Sequence, residues 1–427
     1  MGVVSAGHFL AALANVRHFY TGPTTHDSCS SLKGVIIIFM DKIIKQRVLL
    51  EIVFVLLNVF LTIFVYKDLG NIFDTVVANL MSYLGIFASF VVATIVLSWY
   101  KVNLKYIFSF GCFVLAASFA IFLVGASKYL IYLFMFIWGI GQGFMWVGIH
   151  SNELLAIKDE FKTKYVAQMG LIRRFITVVV PFILTLLFAI FSDATYYLIF
   201  LAASVCCLVA AFYAYISFSY VPGSVGWKDW HHFNLNAKSA PIKLFMAVDG
   251  STQVLHFALT PLAAYLILLN EVNVGMYQTI ASVLSLLLLY IGTKKRSDNS
   301  NGKILLISVF SYVPFLIYFA INPNIFSFLL VSIASIFCLP QMSISRHFID
   351  LTIMKLGTDG NTKFYPNMIF REVYLFIGRV VSVAVFLFVV QYLNNDMQVL
   401  ALGYMCLAFL FSIKGLIGYQ GISKIQE

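Results

Sequence analysis

Residues 51–62 read Glu-Ile-Val-Phe-Val-Leu-Leu-Asn-Val-Phe-Leu-Thr, and residues 249–260 read Asp-Gly-Ser-Thr-Gln-Val-Leu-His-Phe-Ala-Leu-Thr. In both, an acid, a hydrogen-bonding side chain and a threonine follow one another at steps of seven and four: Glu51, Asn58, Thr62 and Asp249, His256, Thr260. Such steps return to nearly the same face of an α-helix, roughly 10.5 and 6 Å apart along its axis. Each stretch is therefore read as an apolar helix carrying one polar stripe. The two stripes lie 198 residues apart, and two further matches lie at nearly the same offset. His150-x-x-Glu153 returns as His347-x-x-Asp350 at 197, and Thr163-Lys-Tyr with Met169 returns as Thr362-Lys-Phe with Met368 at 199. Three near-equal offsets predict a chain built from two related halves.

Composition says where such helices live. Of 427 residues, 61% are hydrophobic and 11% charged, and the mean hydropathy is +0.93. Water requires a more polar exterior than that, whereas a bilayer accepts apolar stretches of about 17–25 residues as self-bonded helices. Twelve such runs are legible, at about 48–66, 72–98, 104–125, 129–150, 164–191, 195–217, 241–268, 273–293, 303–321, 325–345, 364–392 and 396–418. The longest polar break, 219–240, follows the sixth. The expected fold class is thus all-α: a polytopic membrane protein with twelve transmembrane helices in two pseudo-symmetric six-helix bundles, 40–218 and 241–420. A central loop would span 219–240 and a short tail 421–427. Residues 1–39 are expected to be a disordered or non-native extension ahead of Met40, since they lack the zones of a signal peptide. The Phe, Ile, Leu and Tyr usage points to a bacterial source.

The net charge of +10 would suit a nucleic-acid surface, but the cations sit between the apolar runs. With the amino terminus inside, outer loops hold only Lys67 and Lys128 as cations, together with Asp68, Asp74, Asp193, Glu271 and Asp396. The inner segments hold nearly all the rest, including Lys101, Lys105, Lys158, Lys162, Lys294, Lys295, Arg296, Arg346 and Lys355. Positive-inside bias this uniform predicts an even number of spans, both termini in the cytoplasm, and the cell membrane as location.

Two parallel six-span halves with a central inner loop resemble the major facilitator superfamily (MFS), over residues 47 to about 420. The family's Gly- and Asp-containing loop is reduced after the second span to Leu97-Ser-Trp-Tyr-Lys-Val-Asn-Leu-Lys105, and after the eighth to Gly292-Thr-Lys-Lys-Arg-Ser-Asp298. The fifth span carries Gly170-Leu-Ile-Arg-Arg-Phe-Ile-Thr-Val-Val-Val-Pro181 in place of the drug antiporters' proline motif, which argues against a drug exporter. The run Arg371-Glu-Val-Tyr-Leu-Phe-Ile-Gly378-Arg379 is similar to one from a poorly characterised bacterial branch. The resemblance implies a secondary active transporter of a small solute working by alternating access, with protons as coupling ion and spans one, four, seven and ten around the cavity.

Ionisable groups inside a span are costly and so face protein or a wet cavity. On that ground Asp249, Gln253, His256, Glu51, Asn58, Gln142 and Trp146 are the expected substrate or proton ligands. His150, Glu153, Arg173, Arg174, His347, Asp350, Arg371, Glu372 and Arg379 are the expected gating or charge network, breaking and re-forming between the halves. Arg379 lies near mid-span and requires a partner; Glu372, one heptad away on the same helix, is expected to be too distant to pair with it. Gly139 and Gly143 are expected to admit a close neighbouring helix. Pro181, Pro261 and Pro340 are expected to bend their spans. His-x-x-Glu spacing also fits a metal, but no further Cys/His cluster joins it, and five of the six cysteines lie in apolar runs without metal-type spacing; no metal or cofactor is expected. The expected partners are membrane lipids, a small-molecule substrate and protons, with no nucleic acid, and the chain is expected to be a monomer and not an enzyme. The alternative readings are a lipid or glycolipid flippase and, less favoured, an integral-membrane transferase; no phosphate-binding Gly-x-x-x-x-Gly-Lys-Ser/Thr loop occurs.

Overall fold

The computed structural model describes residues 30–123, 127–156, 162–217, 240–293, 301–355, 364–393 and 395–426. The expectations for residues 1–29 and for nearly all of the 219–240 loop lie outside the described residues. Residues 1–45 separate as a unit of their own, with backbone described as helix from Ser30; residues 46–427 form the other unit, considered below.

The described residues form twelve α-helices. In order they are α1 Ser30–Leu69, α2 Ile72–Tyr100, α3 Leu104–Ser118, α4 Lys128–Ala156, α5 Lys162–Phe191 and α6 Ala194–Ser217. Then come α7 Ala240–Leu268, α8 Glu271–Thr293, α9 Asn301–Ile321, α10 Ile325–Lys355, α11 Phe364–Val390 and α12 Asp396–Gln426. Among the described residues, eleven helices are long and apolar enough to cross a membrane; the described part of α8, which opens on Glu271 and Asn273, is not one of them. The third run, expected as one helix to residue 125, is α-helical only to Ser118 and ends in a 3-10 segment, Phe119–Leu123. Pro181, Pro261, Pro314 and Pro340 all lie within helices.

Helix ends repeat as the sequence does. The Asn71 side chain accepts from the Asp74 amide at 2.7 Å to cap α2, and Asn270 accepts from the Asn273 amide at 2.7 Å to cap α8. Gly70 and Leu269, one residue earlier in each turn, both take positive φ, 76° and 67°. Ser127 caps α4 through the Leu130 amide, and Asn324 caps α10 through the Ser327 amide. A polar oxygen at the cap satisfies an amide that the helix cannot, so related turns keep related residues.

Packing follows the same rule. In the first half α2 and α3 both pack on α4, and α3 on α6; in the second, α9 packs on α10 and α12, and α7 on α11 and α12. The two most extensive contacts between the halves are α2 against α11 and α5 against α8. Advancing each label by six exchanges these two pairs. Glycines allow the closest approaches. A Cβ on Gly139 would run into the Ser82 backbone carbonyl of α2, and one on Gly143 into Ile86 and Ser89. On the other side Gly250 meets the Leu375 backbone and Gly378 the Ala247 backbone. Between halves, Phe87 stacks on Phe376 with centroids 4.1 Å apart and planes 6° from parallel. Large apolar side chains such as Phe182, Ile190, Phe212 and Phe388 stay exposed, as a lipid-facing surface permits.

Gly139→Leu should force α2 and α4 apart, at about 1–3 kcal/mol for overpacking. The check is the thermal midpoint of purified protein, expected to fall well below wild type, whereas a like substitution at exposed Phe182 should leave it unmoved.

Candidate functional site

A cavity of about 280 Å³ runs between the two halves. Its walls are aromatic and neutral-polar around Thr62, Asn79, Ser82, Trp138 and Gln142, and charged around Arg47, Glu51, Glu153, Arg346 and Asp350. Helices α1, α2, α4 and α5 supply one side, and α7, α10 and α11 the other.

On the first-half side, Glu51 is buried and held by two guanidiniums: Arg47 Nε at 3.1 Å, one helical turn away, and Arg173 Nε at 3.3 Å, from α5. The Arg47 guanidinium sits 4.9 Å over the Trp146 ring. Trp146 is sandwiched between Phe54 and His150, both at 5.4 Å. Glu153, 2% exposed, accepts a hydrogen bond from Tyr165 Oη at 3.0 Å. Its other oxygen faces His150 Nδ1 at 3.6 Å and His347 Nε2 at 3.9 Å.

The second-half side is a chain of fixed charges. Asp249, 1% exposed, is gripped by Arg346 Nε at 2.7 Å and Lys414 Nζ at 2.5 Å, and Gln253 donates to it at 2.6 Å. Asp350 accepts from Arg371 at 2.9 and 3.2 Å, with Arg346 at 3.7 Å. Burial pushes the Asp350 carboxyl up, but Arg371 and Arg346 outweigh it and hold it below the usual carboxylate range. Arg379 bonds Glu372 at 2.6 Å and Gln253 at 3.3 Å, and its guanidinium lies 4.6 Å over the Tyr83 ring of α2.

That last pair corrects the expectation that Glu372 is too far from Arg379. The two Cα atoms are separated by seven residues, roughly 10.5 Å of helix, but both side chains are long. Leaning toward each other along one face, they close the gap. Among the described residues the fixed ion pairs around the cavity lie within each half, and His347–Glu153 is the ion contact of this cluster that crosses.

At the far end of the helices, a different set bridges the halves. Lys67 Nζ, closing α1, contacts Asp193 at 2.6 Å and Glu271 at 2.9 Å. Tyr196 donates to Glu271 at 3.0 Å, and Tyr66 to Asp396 at 2.6 Å. Lys67, read from sequence only as one of two outer cations, is thus a latch.

Of the expected ligands, Glu51, Gln142, Trp146 and Gln253 line the cavity. Asp249 stands behind Gln253 and Arg346, outside the lining, and His256 pairs with Thr260 at 3.1 Å beside Phe411. The Asn58 side chain lies outside the described residues. Of the expected charge network, His150, Glu153, Arg173, His347, Asp350, Arg371, Glu372 and Arg379 all line the cavity, and Arg174 does not. Sequence reasoning missed Arg346, taken only as an inner-loop cation, and Lys414, which lies buried in the last span and carried no partner motif. A lysine inside an apolar run was the available signal.

No family model and no curated protein sequence matches this chain. Solved structures do. The human organic anion transporter MFSD10 (TETRAN) superposes with a TM-score of 0.62 at 9% identity, covering 88% of this chain and 98% of that one. The nucleoside transporter NupG, in a single-residue variant, gives 0.62 at 12%, covering 90% and 99%. The MFS transporter FucP, in an outward conformation, gives 0.56 at 14%, covering 89% and 99%. At such identities the likeness establishes the fold, and the fold is that of MFS transporters.

Glu372→Gln should strand Arg379, 5% exposed, without its carboxylate, at a cost of about 3–5 kcal/mol for breaking a buried pair. Glu372→Gln with Arg379→Gln should recover part of the loss in thermal midpoint; a double variant no more stable than the single would show that the pair is not coupled.

Proposed function

We propose that this chain is a secondary active transporter that moves a small polar solute across the cell membrane by alternating access, coupled to protons. The supporting observation is a cavity lined by both halves that carries aromatic and hydrogen-bonding walls, with a hydrogen-bonded latch across the halves at one end of the helices. About 280 Å³ is close to the lower bound of ligand pockets, ~300 Å³, which favours a small solute over a lipid or glycolipid. Twelve spans in two six-helix bundles, with both termini in the cytoplasm, are part of this reading. The exchange of contacts under a shift of six helices, the repeated caps and the distribution of cations support it. Lys67, Asp193, Glu271 and Asp396 then lie on the outer side, and the cavity is reached from the cytoplasm.

Roles follow. Gln142, Trp146, Gln253, Asn79 and Thr62 bind solute through hydrogen bonds and ring faces. Glu51 with Arg47 and Arg173, and Asp249 with Arg346 and Lys414, hold each half in shape. A rocking motion about the α2–α11 and α5–α8 contacts exposes the cavity to either side, and the Lys67 latch must break for the outer side to open. One of the similar structures is that of an E. coli fucose:proton symporter, which supports the choice of protons. The chain carries no expected enzymatic site, and it is proposed to act as a monomer among membrane lipids.

Purified protein in sealed vesicles, screened against sugars, nucleosides, amino acids and organic anions, should accumulate one class under an imposed pH gradient and lose it when a protonophore collapses that gradient. Lys67→Ala should make a Thr62→Cys thiol more reactive to an impermeant maleimide added from the outer side, by several-fold. Equal labelling with and without Lys67 would remove the latch from the cycle.

A further inference from the structure

Five carboxylates are buried around the cavity: Glu51, Glu153, Asp249, Asp350 and Glu372. Four contact a permanently charged side chain. Glu51 has Arg47 and Arg173, Asp249 has Arg346 and Lys414, Asp350 has Arg371, and Glu372 has Arg379. Glu153 differs. Among the described residues its ion contacts are His150 and His347 alone, with the Tyr165 hydroxyl on its other oxygen. The repeat offers one account of the difference. At the offset of 199 that carries Met169 onto Met368, the arginine that holds Asp350 falls on Ile172, so the first half lacks the corresponding cation.

A carboxylate locked to arginine gains little from a proton, because protonation would strand the guanidinium. A carboxylate facing two imidazoles has no such penalty, and histidine titrates in the physiological range. The geometry is also unfinished. Glu153 Oε2 and His150 Nδ1 are both buried without a hydrogen-bond partner among the described residues, 3.6 Å apart. One added proton between them would supply the missing bond. The site sits at the contact of α4 with α10, where His347 reaches from the second half to a carboxylate of the first.

Resting on the transporter reading above, we propose that Glu153, His150 and His347 together form the proton-coupling site, with Asp249 as a fixed structural charge. The proton comes from water in the cavity, is shared between the Glu153 carboxylate and an imidazole nitrogen, and returns to water on the other side. Its presence shortens the His347–Glu153 contact and draws the halves together at that end. The charged and titratable groups facing the site are Arg47 and Glu51 on α1, Tyr165 on α5, Asp350 and Arg346 on α10, and Arg371 on α11.

Trp146 makes the idea measurable, since its ring stacks on His150 at 5.4 Å with planes 23° apart and a protonated imidazole quenches indole emission. Purified wild type should show an emission step on acidification below about pH 6.5 that disappears in Trp146→Phe. In Glu153→Gln the step should move down by at least about one pH unit or vanish, because a nearby carboxylate favours the protonated imidazole; His347→Gln should shift it too, and Glu153→Asp should restore most of it. If Glu153→Gln is not folded, as judged by its thermal midpoint, the His347→Gln and Glu153→Asp titrations carry the test. A step unmoved in the variants, or no step in wild type, overturns the proposal. The two readings fail separately. A Glu153-dependent step in a protein that moves no solute leaves the proton site and removes the carrier; gradient-driven accumulation in Glu153→Gln vesicles removes the proton site and leaves the carrier.

Discussion

A charge in a medium of low dielectric must be neutralised where it stands, and most of the polar architecture of this chain follows from that. An unpaired ion at mid-membrane costs several kcal/mol even on lenient scales, ~2.5–3.5 for Arg or Asp. Here ten fixed charges and two histidines lie around one cavity, and Arg371, Glu372, Arg379, Asp249 and Lys414 are each no more than 5% exposed. Each finds an opposite charge within bonding distance, and several share one: Asp249 serves Arg346 and Lys414, and Glu51 serves Arg47 and Arg173. Helix faces that carry these groups cannot turn toward lipid. The charges thereby set the rotation of α1, α7, α10 and α11 about their axes, a choice that uniformly apolar surfaces leave open.

The two halves share a skeleton and differ in what they hold. Caps and left-handed turn residues recur at offsets of 197 to 199, so these turns have kept the repeated pattern. Charge has not. The second half is a chain from Lys414 through Asp249, Arg346 and Asp350 to Arg371, Glu372 and Arg379, while the first half is shorter and ends in histidine. A cation-locked half holds its shape; a histidine-ended half can change its charge.

Much of this was legible in the chain itself, for a physical reason. Span length and the spacing of small residues are properties of sequence order, and they account for the helices and for the close neighbour at Gly139 and Gly143. Periodicity also identified the faces that carry polar groups, which is why twelve of the sixteen expected site residues line the cavity. What periodicity omits is the azimuth of a helix within its bundle and the reach of long side chains. Asp249 and His256 were assigned to the pathway because they share a stripe with Gln253, yet a stripe one residue wide is split by the wall, with Gln253 before it and Asp249 behind. Arg379 and Glu372 were separated by counting along the axis, and their side chains bridge it. Lys414 had no patterned partner, since Asp249 reaches it from a helix more than a hundred residues away.

The distribution of strong and weak contacts bears directly on how such a body could move. Every arginine- or lysine-bonded carboxylate of the cavity finds its cation within its own half. What crosses between halves is of another kind: the stacked Phe87 and Phe376, Arg379 over the Tyr83 ring, the His347–Glu153 contact at 3.9 Å, and the bond from Lys67, 30% exposed, to Glu271. Solvent-exposed ion pairs contribute about 0–1 kcal/mol each, whereas breaking a buried pair costs about 3–5 kcal/mol. Separating the halves at one end therefore leaves no carboxylate and no guanidinium of the buried chain unmatched. Each half can travel with its charges already balanced, and the barrier is left to ring faces, a few exposed hydrogen bonds and whatever occupies Glu153.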